Sequence, residues 1–249
     1  MIFAKTYPDG RPSARKRLDA RDAGVVFRHG SGPGACDNGG AREASVVLHN
    51  GVYHLFYDGS RLGAGWLACL ATSRDLETWH RHGPVLSFGA PGAPDSHTAT
   101  SPWFLRRDNL WHAFYVGCRA TSPPPDCIPH PPYLTCKAEA PNLTGPWRKR
   151  YDVVAVKAQP GTYRGETASP GFLFETEGRI RMFFSAAKGE VNADNVQIQR
   201  TLGQACAPHP DGPWEVPDAP ILPLGEQIEN SSLYYEPDND TWFLFTNHI

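Results

Sequence analysis

The sequence predicts an all-β protein built from repeated four-stranded units, the arrangement of a β-propeller. The 249 residues include 24 glycines, 24 prolines and 11% aromatic residues, with few long segments of helical periodicity. This composition favours many short strands joined by turns. A two-stranded pattern recurs four times, and a tryptophan follows each of the first three copies. Antiparallel units repeated in series in this way are typical of propellers.

The recurring pattern is a hairpin. Each copy contains a serine, a short apolar strand, a polar turn and an aromatic-rich strand. The four copies are Glu43–Gly59, Ala99–Gly117, Thr167–Ala186 and Asn230–Asn247. One position of the aromatic strand is held in turn by Tyr57, Tyr115, Phe184 and Thr246, about 60 to 70 residues apart. The hairpin is therefore the first half of a repeated unit.

Three tryptophans, Trp79, Trp147 and Trp214, mark the second half of the first three units. Another strand-like segment, Gly65–Ser73, separates the first hairpin from its tryptophan. Each unit thus holds about four strands. A large apolar side chain that recurs in this way is expected to pack between neighbouring blades.

We expect a single propeller domain over residues 1–249. Residues 1–34 form an N-terminal segment, and the blades extend approximately over residues 35–94, 95–161, 162–226 and 227–249. The last unit has a hairpin without a tryptophan segment, and Ala23–Gly30 can supply only one further strand. Because a propeller closes by joining its last blade to its first, the sequence predicts an incomplete ring. It would contain three full blades and part of a fourth, as a piece of a longer protein.

The aromatic strands HLFY and HAFY, followed by LATSRDLETW at Leu70–Trp79, resemble the five-bladed propeller glycoside hydrolases of families 43, 32, 117 and 130. The resemblance covers about residues 35–249. It implies a five-bladed type of fold and a glycosidase, for which we expect a carbohydrate substrate of plant or algal origin. A carbohydrate-binding propeller without turnover is the alternative. A structural propeller, with no acidic cluster at the channel mouth, is a third possibility.

The resemblance also implies catalytic carboxylates, because such enzymes place two carboxyl groups beside the glycosidic bond in the channel. Glu166 resembles the blade-three general acid of family 43. Asp37 would be the general base or nucleophile, with Glu43 as its rival. Asp95, in blade two, would raise the pKa of the acid by like-charge repulsion. The ordinary alternative for these residues is a turn or an ion-paired rim position.

Further residues are expected to line the site. Aligning the repeats on Ser45, Ser101, Ser169 and Ser232 places Arg42, Thr98, Glu166 and Glu229 together, three residues earlier. A charge at the start of an otherwise apolar strand needs a partner or a function. We therefore expect Arg42, Glu43, Glu229 and His97, which lies close to Asp95, to bind substrate.

Charge and composition limit the partners. The net charge is −2, with no long run of one sign, so no nucleic-acid partner is expected. No apolar run reaches the roughly 18 residues of a membrane helix, and no signal peptide is evident, which makes the cytoplasm the default location. No cofactor or metal site is predicted. Some family 43 members hold a channel calcium ion, but nothing in the sequence identifies ligands for one.

Two features remain open. The six cysteines contain no Cys-x-x-Cys pair, so buried free thiols are expected, with a loop disulfide among Cys118, Cys127 and Cys136 as the alternative. The proline-rich segment Thr121–Pro132 interrupts the second blade. We expect it to overhang the channel mouth, the alternative being a polyproline ligand for another protein.

Overall fold

The computed structural model describes residues 24–192 and 195–248. The first unit contains four antiparallel strands: β1 (Gly40–His49), β2 (Val52–Arg61), β3 (Gly65–Ser73) and β4 (His80–Pro84). The second unit repeats this arrangement with β5 (Thr98–Arg107), β6 (Leu110–Cys118), β7 (Leu134–Ala140) and β8 (Arg148–Lys149). Both units therefore have the four strands that the repeat predicts.

The third unit contains β9 (Thr167–Thr176), β10 (Arg179–Asn192) and β11 (Asn195–Ala207). A single bridge between Cys206 and Glu215 stands where a fourth strand pairs in the earlier units. The fourth unit is the hairpin of β12 (Ile228–Glu236) and β13 (Thr241–His248). A short 3-10 turn at Leu224–Glu226 precedes this hairpin, and another at Pro237–Asn239 connects its two strands.

The hairpins form where the sequence supplies residues that accept positive φ. Asn50 and Gly51, between β1 and β2, have φ of 51° and 72°. Asp108 and Asn109, between β5 and β6, have φ of 52° and 62°. Tight turns with positive φ match the twist of the paired strands, which explains the preference for asparagine, aspartate and glycine at these points.

Neighbouring units are connected by backbone pairing. β3 and β5 run parallel at Trp66–Thr98 and Leu67–Ala99, and an isolated parallel bridge joins Tyr133 to Thr167. Between the third and fourth units, the side chain of Gln227 forms hydrogen bonds with the backbone of Ile198 and Arg200. Each link ties a later strand of one unit to the start of the next, so the units follow one another around a common axis.

Aromatic side chains fill the space between the units. Trp147 packs against clusters from the first and second units and lies 5.5 Å from the Phe104 ring. Trp214 lies 5.4 Å from Phe114, between the second and third units. Both tryptophans are interblade residues, as the repeat predicts. Trp79 differs: it packs on the first unit beside Phe27 of the N-terminal segment.

The remaining sequence expectations concern the N-terminal segment, the cysteines and the proline-rich segment. Residues 24–30, considered as a closing strand, are not in a strand, and residue 23 lies outside the described part. All six cysteines are free thiols, four of them buried, so the loop disulfide among Cys118, Cys127 and Cys136 is not formed. The proline-rich segment contributes Pro129 to the wall of the central cavity. Among the described residues, no helix has the length and apolarity to cross a membrane.

The interblade role of Trp147 predicts its effect on stability. Replacing it with alanine should lower the free energy of unfolding by about 3 kcal/mol, because the change removes a large apolar side chain and leaves a cavity. Urea unfolding of the purified protein measures the loss. Trp242→Ala is the control, since this side chain is 54% exposed and should cost much less. Equal losses in the two variants would contradict the assignment.

Candidate active site

A cavity of about 600 Å³ lies where the inner strands of the four units converge. In each unit, one residue of the first strand and its pairing partner on the second strand occupy equivalent positions in the cavity wall. The pairs are Arg42–Asp58, Thr100–Val116, Ser169–Ser185 and Glu229–Asn247, and all eight residues line the cavity. The same strand positions therefore line the cavity in every unit, but the side chains at these positions differ.

A β-bulge follows these pairs and shapes the wall. The strand register is interrupted after Arg42 in β1, after Thr100 in β5 and after Glu229 in β12. The next residues, Glu43, Ser101 and Asn230, have φ of 53°, 49° and 57°. In the third unit the register is interrupted after the next pair, Pro170–Phe184. A bulge re-aims side chains and breaks the ladder, which turns these residues toward the cavity.

The bulge also links neighbouring units by hydrogen bonds. The backbone N–H of Ser101 donates to Asp58 Oδ1 at 2.6 Å, and the Ser101 hydroxyl donates to Asp58 Oδ2 at 2.8 Å. The equivalent N–H of Asn230 donates to Ser185 Oγ at 2.8 Å. Asp58 and Ser185 occupy the same position of their units, so one device holds the second unit to the first and the fourth to the third.

Asp58 is a buried carboxyl on the cavity wall, only 1% exposed. Burial raises its pKa to about 7, the Glu43 charge adds to this effect, and the Ser101 hydrogen bonds and the Arg42 charge oppose it. Burial disfavours the ionised form of a carboxyl. Asp58 therefore exchanges its proton near neutral pH.

Glu229, on β12, is the second carboxyl with a raised pKa. Burial is the main cause, the charge of Arg200 opposes it, and the charge of Glu43 adds to it. Arg200, on β11, donates to Glu229 Oε2 at 2.6 Å. About a quarter of the Glu229 side chain is exposed, so this carboxyl remains accessible from the cavity.

Glu43 is the third carboxyl of the cavity, and its side chain is exposed. The Asn230 side-chain amide donates to Glu43 Oε2 at 3.2 Å. Asn230 directly follows Glu229, so the first and fourth units meet here. Three carboxyl groups from two units thus share one cavity.

Arg42 carries its charge beside these carboxyls. Its guanidinium lies over the Trp66 ring, with the Cζ atom 4.3 Å from the ring centroid. Such stacking on an indole face is a favourable cation–π contact. The expected substrate-contacting residues Arg42, Glu43 and Glu229 all line the cavity.

The structure places Asp37 and Asp95 elsewhere. Asp37 is 1% exposed and accepts bonds from Tyr57 Oη at 3.1 Å and an Arg81 nitrogen at 2.5 Å. Neither aspartate is among the residues that line the cavity in the described part of the chain. Asp37 is instead the centre of a buried ion pair within the first unit.

Asp95 repeats this arrangement in the second unit. It is fully buried and accepts bonds from Tyr115 Oη at 2.7 Å and Lys149 Nζ at 2.5 Å. Close packing supports the motif: a Cβ at Gly117 would lie 3.0 Å from Asp95 Cβ and 2.7 Å from Cys136 Sγ. Asp95 and Lys149 thus form a buried ion pair, which favours a role in stability.

Glu166 and His97 also lie outside the described cavity lining. The strand register explains Glu166: the residue paired with Ser185, in the position of Arg42 and Glu229, is Ser169. Alignment on the serines placed Glu166 there because it did not take the bulges into account. His97 is exposed and its Nδ1 atom lies 3.0 Å from Ser96 Oγ.

Sequence reasoning did not single out Asp58 and Arg200. Asp58 carried a signal, since it follows Tyr57, and the residues after the other markers, Val116, Ser185 and Asn247, also line the cavity. Reading the repeat one residue beyond each marker would have found it. Arg200 lies on β11, outside the repeated hairpin, and had no comparable signal.

One group of described residues could offer metal ligands: atoms of His112, Glu139 and Asp211 lie within 4.8 Å of one another. The ammonium of Lys137 already contacts both carboxylates from a fully buried position, and Arg150 pairs with them as well. A divalent cation would add positive charge to a compensated cluster. We therefore assign this group to ion pairing between the second and third units.

Several solved structures share the fold. The family 117 glycoside hydrolase Zg3597 from Zobellia galactanivorans aligns with a TM-score of 0.58 and 17% identity, over 83% of this chain and 66% of that one. A putative glycoside hydrolase from Parabacteroides distasonis aligns with a TM-score of 0.66 and 16% identity, over 90% and 69%. Sucrose-6-phosphate hydrolase from Lactobacillus gasseri aligns with a TM-score of 0.60 and 18% identity, over 83% and 40%.

This chain therefore spans about two thirds or less of the length of these structures. No protein-family model matches the chain, and no curated protein matches its sequence. The structural likeness confirms the predicted all-β propeller fold. It does not single out family 43.

The burial of Asp95 beside Lys149 predicts a stability effect without loss of function. Asp95→Asn should lower the free energy of unfolding by about 3 kcal/mol, because it leaves a buried ammonium without its counter-charge. Asp37→Asn should cost less, since its partner Arg81 is 37% exposed. Urea unfolding measures both. Full stability combined with loss of activity would instead favour the catalytic roles expected from the resemblance.

The raised pKa of Asp58 predicts a pH-dependent stability. The folded state keeps this proton up to about pH 7, whereas the unfolded chain releases it near the ordinary value of 3.8. Stability should therefore fall as pH rises between these values, by at most about 1.4 kcal/mol per pH unit. Asp58→Asn should remove this contribution.

Urea unfolding of the wild type and Asp58→Asn at pH 5, 6, 7 and 8 tests this. The difference between their unfolding free energies should change with pH. The exposed Asp238→Asn serves as control, and its curve should run parallel to that of the wild type. A parallel curve for Asp58→Asn would contradict the raised pKa.

Proposed function

We propose that the protein is a glycoside hydrolase whose active site is the central cavity. The observation that carries the proposal is the set of three carboxyl groups, Glu43, Asp58 and Glu229, on one cavity wall, two of them with raised pKa values. Glycoside hydrolysis requires one protonated and one ionised carboxyl beside the glycosidic bond. Environments that push the pKa values of neighbouring carboxyls apart meet this need.

Exposure decides which carboxyls can reach a substrate. Glu43 is exposed and Glu229 is partly exposed, whereas Asp58 is buried beneath Ser101. We therefore assign the reaction to Glu229 and Glu43. Glu229 would act as the general acid, because burial and the nearby Glu43 charge favour its protonated form. Glu43 would act as the ionised partner.

In this reaction, Glu229 gives its proton to the glycosidic oxygen as the bond to the anomeric carbon breaks. The Glu43 carboxylate either takes a proton from the attacking water or attacks the anomeric carbon itself, and water then completes the hydrolysis. Asp58 would act as a positioning residue, since its two hydrogen bonds hold the Ser101 bulge. Asp37 and Asp95 would act in stability.

The fold relatives and the cavity support a carbohydrate substrate. A cavity of about 600 Å³ falls within the usual range for small-ligand sites. We propose a glycoside of plant or algal type, and a panel of aryl glycosides and oligosaccharides would identify the sugar. Serine, threonine and asparagine side chains on the same wall offer hydrogen bonds to sugar hydroxyls.

A carbohydrate-binding propeller without turnover is the second candidate. It is favoured by the ion pair between Arg200 and Glu229, because the guanidinium opposes protonation of this carboxyl. Such a protein would bind the same sugars at the same wall without breaking a bond.

Amide substitutions separate the two functions. On a substrate found by the panel, Glu229→Gln and Glu43→Gln should each lower kcat by about 10²- to 10⁴-fold, the usual contribution of an acid or base. Sugar binding, measured by calorimetry, should persist. Glu177→Gln, at an 81% exposed side chain, is the control and should keep full activity.

Undiminished kcat in both Gln variants would overturn the catalytic assignment. Sugar binding by the wild type with no turnover on any member of the panel would establish the binding function instead.

A further inference from the structure

We propose that the sugar bound in the cavity carries a carboxylate, as a uronic acid does, and that Arg42 recognises it while stacked on Trp66. This inference rests on the proposed function for its location, since it names the substrate class of the same cavity. It concerns binding, and so can be tested separately from hydrolysis.

Arg42 is the cavity cation that has no counter-ion. Among the described residues, no carboxylate forms an ion pair with it, and its side chain is exposed. Arg200, the other cavity arginine, is paired with Glu229 at 2.6 Å. A ligand anion would therefore meet one free guanidinium and one that is already neutralised.

Stacking prepares the Arg42 guanidinium for a planar anion. The Cζ atom lies over the Trp66 ring, and among the described residues the side chain makes no hydrogen bond. Its N–H donors therefore stay available, and they match the two oxygens of a carboxylate. The stacking also limits the rotation of a long side chain, which lowers the entropy cost of binding. A neutral sugar would make weaker hydrogen bonds with the same edge.

The proline-rich segment holds this pair in place. Trp66 Nε1 donates to the carbonyl oxygen of Asp126 at 3.3 Å, and the backbone N–H of Gly63 donates to that of Pro125 at 2.8 Å. Pro129 of the same segment lines the cavity. The insertion thus supports Trp66 from one side while Arg42 stacks on the ring.

The neighbouring carboxyls have partners other than Arg42. Glu229 is paired with Arg200, and Glu43 accepts a hydrogen bond from Asn230. Burial raises the pKa of Asp58 to about 7, so below neutral pH it is largely uncharged. The Arg42 guanidinium therefore remains available to pair with an added anion.

Calorimetric binding of two matched sugar pairs tests the proposal. The probes are methyl β-D-glucuronide and methyl α-D-galacturonide, each against its neutral counterpart, methyl β-D-glucoside and methyl α-D-galactoside, at pH 6. One uronide should bind at least about 10-fold more tightly than its neutral counterpart, the typical gain from a charged hydrogen bond. Equal affinity within both pairs, or no binding of any probe, would overturn the proposal.

Three variants assign the effect to Arg42. Arg42→Gln should remove the preference for the uronide and weaken binding of the neutral sugar far less than binding of the uronide. Arg42→Lys should restore part of the preference, since it keeps the charge but not the planar fork. Arg74→Gln, in the exposed turn before Trp79, is the matched control and should change nothing. A preference that survives in Arg42→Gln would overturn the proposal, and circular dichroism confirms that each variant is folded.

The outcomes also separate this proposal from hydrolysis. Glu229-dependent turnover of neutral glycosides, with no uronide preference, would refute the proposal of a carboxylated sugar and leave the proposed hydrolase function standing. A uronide preference that depends on Arg42, without turnover of any uronide, would support the carboxylate and refute hydrolysis.

Discussion

The bulge at the start of the inner strands is the constraint on which the cavity depends. In β1, β5 and β12 it comes directly after Arg42, Thr100 and Glu229. An extra residue in one strand releases a backbone N–H from the ladder and re-aims the neighbouring side chains. The released N–H of Ser101 then binds Asp58 of the preceding unit. One local irregularity therefore both joins the units and determines which side chains meet at the centre.

The carboxylates of the chain fall into two classes that differ in their partners. Asp37 and Asp95 are buried, and each is bonded to a tyrosine and to a cation within its own unit. Because both are buried and bonded to a cation, we expect them to act in stability. Glu43 and Glu229 lie on the cavity wall and keep exposed surface. This difference in access, more than the residue type, is the reason why we propose Glu43 and Glu229 as the reactive carboxylates.

Much of the fold follows from local chemistry. The hairpins at Asn50-Gly51 and Asp108-Asn109 form where the residues tolerate positive φ, and the recurrence of the aromatic strands predicts the units. Trp147 and Trp214 fill the spaces between units, as their regular spacing predicts. Trp79 packs on the N-terminal segment instead, because its neighbour in space is Phe27, a contact that no repeat in the sequence records.

The sequence by itself determined the repeated strands, their turns and the presence of Arg42, Glu43 and Glu229 at the start of inner strands. The tertiary structure decided which further residues join them, because strand register controls the face on which a side chain lies, and a bulge changes that register. Counting back from a serine placed Glu166 at the cavity, whereas backbone pairing places Ser169 there. Arg200 lies outside the repeated hairpin and is linked to the cavity carboxyls through its contact with Glu229 of the next unit.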